Sequence, residues 1–206
     1  MTSRPNDQLG DWLLELEGIE LEVDRNLAPL TDAQFNWRPG EGRWSVGECL
    51  DHLALTTSLM LAKVRPALER AKAEGKRGGM GPYPYGLLGG WFVRMMETPG
   101  KRPMRAPKNF VPAFGLPNSA VLGKFAGAMQ EFRATLEISR GVALNRVTAR
   151  SSAQGGGWIR FNVAAWFAAS LAHGRRHLGQ AERVRKALAE EPARRYVRSP
   201  PAEFLP

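Results

Sequence analysis

The chain has few of the residues that most often carry chemistry: one cysteine and three histidines in 206 residues. The lone Cys49 excludes an internal disulfide and fits a reducing compartment. No window holds 18 consecutive apolar residues, which argues against a transmembrane helix. The start, MTSRPNDQLGDW, lacks the basic-then-apolar pattern of a signal sequence, so a cytoplasmic location is expected. No Gly-Lys-Ser/Thr follows the glycines at 155–157, so they read as a turn before Trp158 and not as a phosphate loop. There is no serine nucleophile elbow and no internal repeat. Negative charge is the scarcer sign: 20 Asp and Glu against 29 Lys and Arg leave a net charge of +9. That balance suits an anionic substrate or partner. With few aromatics among the basic runs and no nucleic-acid motif, DNA or RNA binding is disfavoured.

What is present is helical periodicity. At 43% hydrophobic residues the chain can bury a substantial core in one domain, taken as residues 1–190, followed by an extended Pro-rich tail at 191–206. Leu9, Trp12, Leu16, Ile19, Val23 and Leu27 recur at three- and four-residue steps and predict a first helix near 7–28, ended by Pro29. Ser45 with Glu48 three later is a capping box, which starts a second helix running to about Glu74, with Pro66 as a possible kink. A third helix follows Pro117-Asn118-Ser119, with Leu122, Phe125, Met129, Phe132 and Leu136 as its stripe. A fourth spans roughly 161–190.

The middle, about 75–117, reads as an irregular insertion. Residues 75–90 hold seven glycines and residues 98–117 five prolines, with the cations Lys101, Arg102, Arg105 and Lys108. Between them Leu87, Leu88, Trp91, Phe92, Met95 and Met96 predict a short apolar helix. Its apolar surface is too large to leave bare, so it is expected near a site mouth or against a second subunit, ahead of an interfacial membrane role.

The three histidines are the candidate chemistry. His173 and His177 stand four apart on the fourth helix, on one face and about 6 Å apart along the axis. His52 lies on the apolar side of the second helix. Two imidazoles so spaced can share one divalent ion, and a third from another helix completes a three-nitrogen site with a position left open for water or substrate. The peptidase motif H-E-x-x-H is excluded, because Gly174 stands where its glutamate would be. Gly174 is expected to have a packing reason. Glu48, one turn before His52, is either the cap partner of Ser45 or a base supporting the site from behind. Gln180, three after His177, could steady it, but a solvated or interhelical position is the readier expectation. Glu182 is turned about 140° away from His177. Cys49 is expected to be a small buried hydrophobe before a ligand or redox thiol.

These motifs resemble a known family. Phe35-Asn36-Trp37-Arg38-Pro39, Trp44-Ser45-Val46-Gly47-Glu48 and Asp51-His52-Leu53 look like the first signature of the DinB-like (YfiT-like) proteins. HGRRHLGQAERV, His173 to Val184, looks like the second, and the resemblance covers roughly residues 8–188. It implies an all-α, up-up-down-down-like four-helix bundle, often dimeric, with a divalent metal on His52, His173 and His177. It implies a metal-dependent hydrolase or a thiol S-transferase using a low-molecular-weight thiol. The ion is unnamed by the ligands: zinc, nickel, manganese and iron all accept imidazole. The competing expectation is a non-catalytic, dimeric interaction or stress-response protein that a metal merely staples together. The long 75–117 stretch and the strong positive charge depart from the family pattern.

Overall fold

The computed structural model describes residues 7–97, 106–151 and 158–198, with only the backbone path for 192–198. Lys101, Arg102 and Arg105, the glycines at 155–157 and the end of the expected tail lie outside the described residues.

Helix α1 spans Gln8–Asn26, capped by the Asp7 carboxylate, which accepts the Gly10 N–H at 2.9 Å. Its expected stripe is buried, from Leu9 through Val23, with Leu27 buried just beyond it. A single capped turn, α2, Asp32–Phe35, inserts Phe35 fully into the core. Helix α3 spans Val46–Ala73, started by the Ser45–Glu48 capping box with both reciprocal hydrogen bonds formed. Pro66 does not end it. The proline sits on the exposed side, and so does Ala62, whose carbonyl the missing Pro66 N–H would otherwise have met.

A long connection runs from α3 to α5. It carries α4, Gly86–Glu97, then a 3-10 turn at Lys108–Phe110. Helix α4 packs on the last long helix, α6. Phe92 stacks on Phe161 at 4.3 Å and meets Trp166 edge-on at 5.1 Å. Gly89 permits the approach, since a Cβ there would lie 2.9 Å from that of Ala165. Only part of the apolar set is used in this way. Leu87, Leu88 and Trp91 are 94%, 70% and 54% exposed, so α4 turns half of its apolar surface outward.

Helix α5 spans Asn118–Ile138 and α6 spans Val163–Arg198. α6 passes the expected end near 190, so the first residues of the expected extended tail are helical. Adding a residue to an existing helix costs little, and a Pro-rich composition alone does not stop it. Two three-residue strands precede α6: β1, Thr148–Arg150, pairs antiparallel with β2, Arg160–Asn162, with Ala149 opposite Phe161. Strands this short leave no periodicity to read in a sequence.

Helices α1, α3, α5 and α6 form the bundle: α3 packs on α5 and α6, and α1 packs on the same two. Phe35, Phe132 and Phe167 lie fully buried within it, each contributing about 2–3 kcal/mol by burial. Among the described residues no helix is long and apolar enough to cross a membrane.

Candidate metal centre

Two helices bring the histidines together. His52 sits in the second turn of α3, and its inward aim is set by the helix start that Ser45 and Glu48 fix. His173 and His177 sit on successive turns of α6. Gly174 between them lets α6 approach α1: a Cβ there would fall 2.9 Å from Cδ1 of Ile19. The expected packing reason for this glycine is therefore present.

The three rings converge. Their centroids are 5.1 Å apart for His52 and His173, 4.7 Å for His52 and His177, and 4.5 Å for the α6 pair. One ring nitrogen from each lies within 4.8 Å of the others. Nε2 of His52 is 3.3 Å from Nε2 of His173. On its other side His52 Nδ1 lies 2.6 Å from the Phe110 carbonyl oxygen. A carbonyl only accepts, so Nδ1 carries the proton, and the neutral ring presents a bare Nε2 lone pair to the other two histidines. Trp44 packs against two of the rings, at 4.8 Å from His52 and 5.7 Å from His177.

Burial keeps these imidazoles neutral. Desolvation is the largest effect on each and lowers its pKa: His52 moves down, His173 falls to about 3 and His177 to about 2. The neighbouring rings add to the lowering for the α6 pair, and the positive charge of Arg176 lowers all three. Neutral nitrogens with free lone pairs are what a divalent ion requires. Nδ1 of His177 is buried without a hydrogen-bond partner. Gln180 lies close enough to raise the His177 pKa slightly, but no well-formed bond from it satisfies that nitrogen. An orphaned buried nitrogen costs on the order of 1–3 kcal/mol. Three converging neutral imidazoles, one with an unsatisfied atom, fit a bound cation better than they fit an ordinary core.

The other candidates lie elsewhere. Glu48 is buried and fully engaged: it accepts the Ser45 N–H at 2.9 Å and a two-pronged pair from Arg38 at 2.6 and 2.8 Å. None of these contacts reaches a histidine ring. Cys49 is buried and its thiol is pushed up to about 12 by desolvation, then by the Glu48 charge, so it stays protonated. Glu182 pairs with Arg185 and Lys186. Residues missed by sequence reasoning are Trp44 and Phe110. Trp44 stood in the motif without a role. Phe110 acts through its backbone carbonyl, which no side-chain pattern reveals.

The family model described as DinB superfamily matches residues 22–181. Among solved structures the chain is similar to YfiT from Bacillus subtilis, described as a probable metal-dependent hydrolase with an unusual four-helix bundle topology. The likeness covers 92% of each chain at a TM-score of 0.54 and 15% sequence identity, which speaks for the shared fold. No curated protein matches this chain in sequence.

Proposed function

This chain belongs to the DinB superfamily, and from that premise we propose that it is a metal-dependent enzyme whose ion is held by His52, His173 and His177. The observation that carries the reading is the convergence of three neutral imidazoles with the His52 tautomer fixed. When bound, a divalent ion supplies Lewis acidity that favours loss of a proton from a water or a thiol near neutral pH. The protein's own part is to keep three lone pairs available, to exclude bulk water with Trp44 and the apolar walls, and to bias the site electrostatically. Arg176 places positive charge beside all three rings. That favours a substrate bearing an anionic group.

The reaction is hydrolysis, or transfer to or from a low-molecular-weight thiol. The similarity to a structure described as a probable hydrolase supports the first, and the anionic preference suits a carboxylate-bearing thiol in the second. Glu48 serves as the cap and Arg38 partner and acts on the site only by fixing the start of α3. The substrate is a small molecule, the location is cytoplasmic, and the outward face of α4, with Leu87, Leu88 and Trp91, is the surface through which two copies pair.

The test starts with elemental analysis of the purified protein, then titration with Zn2+, Ni2+, Mn2+ and Fe2+. A screen of the loaded protein against ester, amide and thiol-transfer substrates follows. Failure to retain or bind any of these ions sinks the proposal. A protein that binds its ion but shows no exchangeable water, for example by water relaxation with Mn2+, has a structural staple and not a catalytic centre.

A further inference from the structure

Asp51 precedes His52 on α3 and is 6% exposed, and a carboxylate is rarely buried without a purpose. Its two oxygens go to different places. One accepts the backbone N–H of Ala113 at 2.8 Å, and the other accepts Nζ of Lys124 on α5 at 3.1 Å. The Lys124 side chain is 55% exposed, so that pair is weakened by water. The Ala113 contact, a charge-assisted bond to a backbone amide, is the stronger tie.

Ala113 belongs to a strap, residues 106–117, that runs from the chain preceding the Lys108–Phe110 turn to the start of α5. Three residues before Ala113, the same strap supplies the Phe110 carbonyl to His52 Nδ1. Adjacent residues of α3 thus grip adjacent points of one strap. Further along, Asn36 donates to the Leu116 carbonyl at 3.0 Å, and the Arg38 guanidinium lies 3.8 Å from the Phe114 ring centre. Val111 and Phe114 are more than half exposed. Pro112 is buried and Leu116 packs against the core, so packing and these ties together set the strap's position.

We infer that Asp51 is a positioning residue for the metal centre: through Ala113 it holds the strap so that the Phe110 carbonyl fixes the tautomer and aim of His52. The inference rests on the metal-binding reading above, but half of it concerns the metal-free protein. Partners that orient a metal-ligating histidine commonly change affinity 10- to 100-fold.

The experiment measures Zn2+ affinity by chelator competition and, in metal-free protein, the His52 ring tautomer by 15N NMR. Asp51→Ala is expected to weaken Zn2+ about tenfold or more and to turn the Nδ1–H tautomer of His52 into a mixture. Ala113→Pro removes the same N–H without touching Asp51 and should do the same, and the double variant should be no worse than either single one. Asp51→Asn keeps an oxygen acceptor and should restore most of the affinity. Lys124→Met should stay within about twofold of wild type. Wild-type affinity and an intact tautomer in Asp51→Ala overturn the inference, as does a loss there that Ala113→Pro fails to reproduce. Should Asp51→Ala not fold, Ala113→Pro decides alone. Should the wild type bind no Zn2+, the metal reading fails, and the tautomer still decides whether Asp51 positions His52.

Discussion

His52 and the α6 pair reach the same point by different means. His52 is held from outside the bundle by a backbone carbonyl on one nitrogen, a strap behind that carbonyl and a buried carboxylate behind the strap. His173 and His177 are held by their helix. Their spacing follows from the helical repeat, Gly174 sets how near α6 can lie to α1, and Nδ1 of His177 has no hydrogen bond. One side of the site is oriented by polar contacts and the other by packing. The polar side should respond to changes in the strap, and the packed side to changes in the ion.

The largest effect should come from removing a ring on the packed side. His177→Ala deletes one of the three proposed ligands and should abolish metal retention, read as metal content by elemental analysis after gel filtration. Full occupancy in that variant would place the site elsewhere. Because Nδ1 of His177 has no hydrogen-bond partner, removing that ring should leave the metal-free fold intact, the orphaned nitrogen it takes away offsetting part of the packing lost.

The next effect is a pH dependence of the metal-free protein. All three folded pKa values lie below the ordinary 6.5 of histidine. The unfolded chain therefore binds more protons than the folded one once the pH drops below about 6.5, and stability falls with acid. Each histidine that stays neutral in the fold contributes about 1.4 kcal/mol per pH unit to that slope. The chain has no other histidines, so the window from about pH 6.5 down to the carboxylate range reports on this site. Denaturant titrations at pH 7 and pH 5 should show a loss of several kcal/mol, steeper than in His173→Leu/His177→Leu. Equal stability at the two pH values would mean that the rings are not desolvated.

A smaller effect separates site from scaffold. Glu48→Ala removes the reciprocal cap and strands Arg38, and should destabilise the protein by about 1–3 kcal/mol. Metal should remain bound, because no Glu48 contact reaches a ring. Loss of metal from a folded Glu48→Ala protein would return Glu48 to the site.

The smallest effect belongs to Trp44. Trp44→Phe keeps an aromatic wall against His52 and His177 and should shift metal affinity by no more than a few-fold. A loss as large as that of Asp51→Ala would show that packing orients His52 as strongly as the strap does.

The parts of this arrangement legible in the sequence are those with a period or a paired signal. The stripe of α1, the Ser45–Glu48 cap, the i, i+4 histidines and the Leu87–Met96 helix all repeat at helical spacing, and each stands where that spacing puts it. The parts that were not legible arise from tertiary contact. The outward turn of Leu87, Leu88 and Trp91 depends on which face α6 covers. The Phe110 carbonyl belongs to a backbone that any sequence would supply. The short α2 turn and the hairpin before α6 are too brief for a period to emerge.

Cys49 offers a use of its own. It is the only thiol in the chain, fully buried one turn from His52 and locked in its unreactive protonated form. A thiol-directed label can therefore reach it only when the packing around it opens. The labelling rate becomes a built-in clock for breathing at the edge of the histidine cluster, needing no engineered reporter, and its slowing on addition of an ion would measure how tightly that ion clamps the two helices together.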